Sequence, residues 1–332
     1  MTDGGDLAEA ACLLRDAKRI AVLSHVDPDA DAVGSSIGLA LGLRAQGKDV
    51  VVALADRVPA YARFLPGAAG VVDHLPEVPF DVYVFADAAD IDRVGTLYTE
   101  NPDRFAGTPL VDLDHHRTNP GYGTVNVVDG AASSTSELSY RLLRLLDAPI
   151  DAETATTLLF GIMGDTGAFQ NGATTPGSLE VAADLVRRGA DSQRVAFQLF
   201  DRKRFGVARA WGEVLETIEL FPERRIVYAW MAQHVLQDNG VKMDEMEGIT
   251  AYLRGIEEAD VVMLLKEAEN GELRVSLRSR PGIDVSSIAV ALGGGGHKQA
   301  AGATLPGPPD HAKRLLLETY DRFYGDQRHP AH

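Results

Sequence analysis

Cysteine is all but missing from this chain of 332 residues: Cys12 stands alone. No intramolecular disulfide can form, which suits a reducing compartment and points to the cytoplasm. Cations are in deficit too, with 32 Lys and Arg against 48 Asp and Glu and a net charge of −16. So acidic a protein repels long polyanions, which excludes a broad electrostatic grip on duplex nucleic acid. A short anionic ligand stays admissible where metals and a few arginines supply local positive charge. No apolar run is long enough to span a bilayer. The start, Met1-Thr2-Asp3-Gly4-Gly5-Asp6, is acidic where a secretory leader would be basic. Neither a Gly-x-x-x-x-Gly-Lys-Ser/Thr loop nor a Gly-x-Ser-x-Gly elbow occurs. Aromatic residues are scarce, and Trp211, Trp230, Tyr228 and Phe221 read as core rather than as nucleobase platforms. There is no internal repeat and no long low-complexity tract.

What is present suits a globular protein of two domains: 45% of residues are hydrophobic, enough for two cores. The N-terminal half alternates apolar runs with helical patterns. Strands are expected at 19–24, 49–54, 81–86, 109–113 and 124–128, and helices at 33–46, 136–146, 151–163 and 176–188. That alternation predicts an α/β fold with a mostly parallel sheet flanked by helices. The stretch 191–215 reads as a helical connector. A smaller α/β domain is expected over 216–326, with strands at 225–231, 261–266 and 273–280 and helices near 244–254 and 311–324. The tail 327–332 reads as loose.

The segment Ser24-His25-Val26-Asp27-Pro28-Asp29-Ala30-Asp31 sets an imidazole and three carboxylates at the mouth of an apolar strand. Bare carboxylates repel one another, and a cluster this dense usually needs a cation. A turn with a helix cap explains one or two of these acids, but not His25. A calcium loop fails, because Ala32 stands where glycine is needed and Gly38 where a bidentate glutamate is needed. Similar clusters follow at Asp87, at Asp114-His115-His116 and at Asp165, and most lie at the carboxyl end of an expected strand, where α/β sheets bind ligands. Alone, Asp87 would be a helix cap and Asp165 a turn residue. Next to a metal cluster, Asp87 becomes a candidate bridging ligand. Two adjacent histidines after a strand point to different sides, one to metal and one to substrate, with Asp114 placed to orient them. Ser133-Ser134-Thr135-Ser136-Glu137 reads mainly as a capping box.

Four aspartates with imidazoles and no thiol favour manganese, then magnesium, over zinc. Two such cations about 3.5–4 Å apart would share a carboxylate and ready a solvent molecule for in-line attack on phosphorus. Further along, the backbone of Gly293-Gly294-Gly295-Gly296 is expected to form an anion-binding nest. His297, Lys298, Arg278 and Arg280 lie near it in sequence. The competing reading of the glycines is a hinge or a close backbone contact.

Together His25-x-x-Pro28-Asp29-x-Asp31, Asp87, Asp114-His115-His116 and Asp165 resemble the motifs of the DHH phosphoesterase superfamily. Gly293–Gly302 resembles the glycine-rich motif of its DHH-associated C-terminal domain. Size and layout are similar to the nanoRNase branch, the oligoribonuclease and pAp phosphatase proteins. RecJ-type exonucleases are longer, and family II pyrophosphatases end in a different second domain. The resemblance implies a catalytic metal-binding domain over 1–190, a substrate-binding domain over 216–326, and an active site in the cleft between them. It implies His25, Asp29 and Asp87 on one metal, and Asp31, Asp87, His115 and Asp165 on the other. His116 would contact the scissile phosphate, while Arg278, Ser279 and His297, with Gly295 and Gly296, would hold the rest of the substrate. The expected enzyme is a two-Mn²⁺ phosphodiesterase (Mg²⁺ is the second choice). It would degrade very short single-stranded RNA to nucleoside monophosphates and take pAp as well. A cyclic-di-AMP or pApA hydrolase is the alternative, and a non-catalytic nucleotide sensor the distant one. Oligomeric state is open, a dimer being one option.

Overall fold

The computed structural model describes residues 4–325 apart from positions 247 and 269, so the tail 327–332 lies outside the described residues. The chain divides into two compact units, Met1–Arg202 and Lys203–His332. The division falls inside the segment 191–215.

In the first unit the elements run α1 (Gly4–Asp16), β1 (Arg19–Leu23), α2 (Ala30–Ala45), β2 (Asp49–Ala53), β3 (Val82–Ala86), α3 (Thr96–Thr99), β4 (Leu110–Asp114) and β5 (Val125–Val128). Helices α4 (Thr135–Leu145), α5 (Ala152–Asp165), α6 (Pro176–Arg187) and α7 (Ser192–Ala196) complete it. The sheet is parallel throughout, in the order β2-β1-β3-β4-β5. Strands β3 and β4 are buried at every position, as the unbroken apolar runs predict for strands covered on both faces. One layer packs Val22, Val84 and Val111 against the α2–α4–α5 side, and the other packs Leu23, Phe85 and Phe105. The order reverses direction between β1 and β3. Loops leaving the two strands part there, which opens a crevice at their carboxyl ends.

Helix α2 is buried on nearly every side, as expected of a helix apolar all round. It packs against α5 at a crossing that requires glycine. A Cβ on Gly161 would stand 1.9 Å from Ser136 Oγ and 2.8 Å from Asp31 Oδ1. The missing side chain lets the start of α2 and the end of α5 approach closely, which sets Asp31 near Asp165.

The second unit runs α8 (Phe205–Glu216), β6 (Glu219–Phe221), β7 (Ile226–Met231), α9 (Gln233–Asp238), α10 (Ile249–Arg254), β8 (Val261–Glu267) and β9 (Leu273–Ser279). It ends with α11 (Val285–Ala291), β10 (Gly295–His297), β11 (Ala300–Leu305) and α12 (Pro309–Tyr324). Its mixed sheet has the order β10-β11-β9-β8-β7-β6, with only β7 and β8 parallel. Alternate residues face opposite ways. Val261, Met263, Leu273, Val275, Leu277 and Ala301 form a core with α11 and α12, while Val227, Ala229, Val262 and Leu264 pack with α8, α9 and α10. Strands β6, β10 and β11 and helices α1, α3, α9 and α11 are additions to the elements expected from sequence. The glycines explain the loss of β10: with no side chains they carry no period-two signal.

Candidate metal centre

Three strand ends and three helix ends of the first unit converge on one point. Beyond β1, the Ser24 hydroxyl donates to Ala86 O at 2.6 Å and ties the end of β1 to that of β3. His25 follows, 3% exposed, with Nδ1 2.7 Å from Val26 O. Its Nε2 lies 3.6 Å from Asp87 Oδ2 and 3.8 Å from Asp29 Oδ1. Asp29 is the N-cap of α2 and accepts the N–H groups of Asp31 and Ala32 at 3.0 Å. The cap is thus Asp29, and α2 starts at Ala30 instead of Val33.

Asp31 therefore sits in the first turn of α2, wholly buried. Its carboxylate lies across the start of α4: Thr135 N–H donates to Oδ2 at 2.6 Å and Ser136 N–H to Oδ1 at 2.9 Å. A helix N-terminus favours an anion there. Thr135 also donates its hydroxyl to Asp87 Oδ1 at 2.9 Å. The serine-threonine run does more than close its own helix. Ser134 is the cap, accepting from Glu137 N–H, while the next two residues hold acids from α2 and β3. Neither role of Thr135 and Ser136 was legible beforehand, because it is carried largely by backbone N–H groups more than a hundred residues from Asp31.

Asp87 follows the last residue of β3 with φ of +62°. A non-glycine residue in the left-handed region is uncommon, and it concentrates at functional sites. Asp114 is the last residue of β4 and fully buried. Its Oδ1 accepts from His116 Nδ1 at 2.7 Å, and its Oδ2 accepts from Asn119 Nδ2 at 2.7 Å. Asn119 also donates to Asp112 at 3.0 Å, so one amide braces two acids of β4. The rings of His115 and His116 are inclined at 59°. His115 Nε2 lies 3.1 Å from Asp165 Oδ2, 3.6 Å from Asp87 Oδ1 and 4.0 Å from Asp31 Oδ2. Asp165 is the last residue of α5, not part of a turn beyond it.

Among the described residues, ligand-type atoms gather in three groups, each within 4.8 Å: His25, Asp29 and Asp87; Asp31, His115 and Asp165; and Asp87, His115 and His116. Asp87 faces two of them, one oxygen toward His25 and the other toward His115. The electrostatics reflect the crowding of these acids. Burial first, then the charges of Asp87 and Asp165, push the Asp31 carboxyl well above its ordinary range. Burial also raises Asp87. The histidines answer this crowding. Burial pulls His25 down, but its bonds to Asp29 and Asp87 prevail and hold it at about 10. His115 likewise reaches about 10 against its burial, through Asp165, Asp31 and Asp87. Oxygen and imidazole donors without sulfur suit a hard or intermediate cation, so the cluster is compatible with divalent metal binding.

The other residues singled out from sequence lie in the second unit. Arg278, Ala300 and His297 are register partners across β9, β11 and β10, so Arg278 and His297 share one sheet face, together with Gly295. Ser279 does not join them. It is 1% exposed on the opposite face, and its hydroxyl donates to Ile283 O at 2.7 Å. The residue sharing Arg278's face is Ser276, marked by the alternation of Leu273, Val275 and Leu277. The nest expected at the glycine run is also replaced. Gly293 and Gly294 N–H groups close α11 on Val290 O and Ala289 O, and Gly295–His297 form the edge strand β10. Gly296 has φ of +136°, and a Cβ there would lie 2.6 Å from Ala300 O, so it serves close backbone contact.

Fold and site together define a two-unit α/β protein whose parallel sheet carries an acid-imidazole cluster suited to divalent cations. The DHH family, N-terminal domain, matches residues 19–162, and the DHHA1 domain matches residues 224–326. The chain is 37% identical over 307 residues to the bifunctional oligoribonuclease and PAP phosphatase NrnA of Thermus thermophilus, covering 90% of this chain and 88% of that one. It is 27% identical over 303 residues to the bifunctional oligoribonuclease and PAP phosphatase NrnA of Bacillus subtilis, covering 89% and 91%. Among solved structures, an exopolyphosphatase-related protein from Bacteroides fragilis shares the fold, with a TM-score of 0.84 at 22% identity over 97% of both chains. This chain belongs to the DHH phosphoesterase family, in the branch that carries a DHHA1 domain.

Proposed function

We propose that this protein is a two-metal, Mn²⁺-dependent phosphodiesterase that shortens very short single-stranded RNA to nucleoside monophosphates and also dephosphorylates pAp. The carrying observation is Asp87, whose two oxygens face two separate acid-imidazole groups. The names of relatives aligned along nearly the whole chain point to the same substrates. His25, Asp29 and Asp87 would hold one cation, and Asp31, Asp87, His115 and Asp165 the other. Bound there, the pair supplies Lewis-acid charge against the phosphate and lowers the pKa of water. The remaining work falls to the chain's own groups. His116 keeps Nδ1 on Asp114, which leaves Nε2 to meet a phosphate oxygen and protonate the leaving group. Its side chain is 36% exposed against 17% for His115, as a substrate-facing ring requires. Asp114 and Asn119 fix that ring, and Thr135 and Ser136 fix Asp31. In the second unit, Arg278 and His297 offer cationic and hydrogen-bonding groups to the rest of the substrate. The lone thiol Cys12 suits a cytoplasmic setting, and the net charge of −16 disfavours duplex nucleic acid.

Initial rates on pAp, RNA dimers to pentamers, pApA and cyclic dinucleotides, with Mn²⁺, Mg²⁺ or Zn²⁺, test the proposal. Short RNA and pAp should lead with Mn²⁺. His116→Ala should lose about 10²–10⁴-fold in rate while Mn²⁺ still raises its unfolding midpoint. Preference for cyclic dinucleotides, or a folded His116→Ala variant of near-normal rate, would overturn it.

A further inference from the structure

One buried acid beside the site has no task in the reaction proposed above. Asp112 lies two residues before Asp114 on β4, so both carboxylates leave the same face of the strand. It is wholly buried, and no cationic side chain pairs with it among the described residues. Burial raises it to about 6, against its bond from Asn119. A buried acid without a counter-charge is costly, so its place beside Asp114 calls for a reason other than stability. That reason lies in what Asp112 holds. Asn119 Nδ2 donates to Asp112 Oδ1 at 3.0 Å and to Asp114 Oδ2 at 2.7 Å, while Asn119 Oδ1 accepts from Gly121 N–H at 2.8 Å. The NH₂ group of an amide has two hydrogens. Each here has its own carboxylate, so the side chain cannot turn without losing one. Asp114 in turn holds His116 Nδ1. The same loop carries Tyr122, whose hydroxyl donates at 2.5 Å to Ala88 O, on the residue after Asp87. Burial, then the charges of Asp112 and Asp114, raise that phenol, so it keeps its proton and donates. Asn119 Nδ2 lies 3.5 Å from the same oxygen, too far to replace it. On the other side, Asp87 N–H donates to Leu113 O at 2.9 Å. The left-handed Asp87 is thus tied by the peptides before and after it, as a strained residue requires. Gly123 lets the loop lie this close, since a Cβ there would stand 2.9 Å from Asp112 Cβ.

We propose that the loop 119–122 is a clamp across the ends of β3 and β4. Asp112 is a positioning residue that holds His116 through Asn119 and Asp114, and Tyr122 is one that holds Asp87 through the Ala88 carbonyl. This rests on the roles given above to Asp87 and His116, and adds Asp112 and Tyr122 to them. Through one short loop, the bridging acid and the substrate-facing ring keep a fixed spacing.

Two substitutions test the two arms. Asp112→Leu removes the acceptor and keeps the bulk; it should lower kcat about tenfold, with KM and Mn²⁺ affinity unchanged. Asp112→Asn, which keeps an acceptor oxygen, should restore most of the rate. In the Asp114→Asn background, Asp112→Leu should lower kcat no further, because both act through one ring. Tyr122→Phe keeps its ring against Phe85 and frees Ala88 O. Its Mn²⁺ affinity, read by electron paramagnetic resonance without substrate, should fall about tenfold, while kcat at saturating Mn²⁺ stays near that of the wild type. Nitrogen-15 spectra of the His116 ring, with Mg²⁺ bound and the ring neutral, should show the Nδ1–H tautomer in the wild type and in Asp112→Asn, and a mixture in Asp112→Leu. An unchanged ring in Asp112→Leu, or an unchanged Mn²⁺ affinity in Tyr122→Phe, would overturn the clamp. So would an equal loss of kcat and metal affinity in both variants, the mark of a fold loosened throughout. The spectra and the metal titration need no turnover. If they respond as stated in a protein that cleaves neither RNA nor pAp, the proposed activity falls and the clamp stands.

Discussion

His116 differs from its neighbour by what it touches. His115 points Nε2 among Asp31, Asp87 and Asp165, whereas His116 turns Nδ1 onto Asp114 and is more exposed. On the activity proposed above, His115 would serve the cation and His116 the substrate, both rings lying beside Asp87. Asp114 would then act through that ring, as a positioning residue. Asp114→Asn should lower kcat about 10–100-fold with KM changed little. Mn²⁺ should stabilise the variant as it does the wild type, since Asp114 lies in none of the ligand groups. Steady-state kinetics alongside thermal unfolding check this, and loss of the Mn²⁺ response would make Asp114 part of the metal site itself. The acids and imidazoles were legible in sequence because each cluster is local, held in a few residues after a strand. Asn119, Thr135 and Ser136 were not, because an amide or a backbone N–H has no distinctive spacing, and their partners are remote.

At the scale of elements, the site depends on how closely α2 and α5 cross. Gly161 faces Ser136 and Asp31 where the start of α4 meets the two helices. Gly161→Ala should cost about 1–3 kcal/mol of stability, the usual range for overpacking a filled core. The added methyl must displace Asp31 or Ser136, so the variant should also need more Mn²⁺ for half-maximal activity. Denaturant unfolding and a metal titration measure both, and a variant normal in both would show that the crossing is slack. The second sheet teaches the same lesson in a different element. Its central strands were readable from their apolar alternation, but β10 and β11 were obscured by glycine and alanine. The glycine run that suggested a phosphate nest closes α11 and builds an edge strand instead.

For the whole molecule, the two units have separate cores, and metal should protect the first alone. The candidate ligands all belong to residues 1–202. Hydrogen exchange with and without Mn²⁺, in the absence of substrate, should show added protection at the ends of β1, β3 and β4 and at the start of α4. Strands β7, β8 and β9 should exchange alike in both conditions. EDTA should reverse the protection, because a ligand that binds only the folded state stabilises it by about 2.7 kcal/mol at a hundred times its Kd. Protection confined to the second unit would place the metal elsewhere. Among the described residues no helix is long and apolar enough to cross a membrane, in keeping with the lack of long apolar runs.

Sequence alone determined the parallel α/β sheet, because buried strands and amphipathic helices write their periods into the residues. It also determined the acid-imidazole inventory, because ligands at strand ends arrive in short contiguous groups. Only the tertiary structure decided which oxygen faces which imidazole, that the start of α4 cradles Asp31, and that Ser276 rather than Ser279 accompanies Arg278. Those facts arise where strands and helices far apart in the chain meet. Contact at that distance depends on register and helix crossing, which no local pattern of residues records.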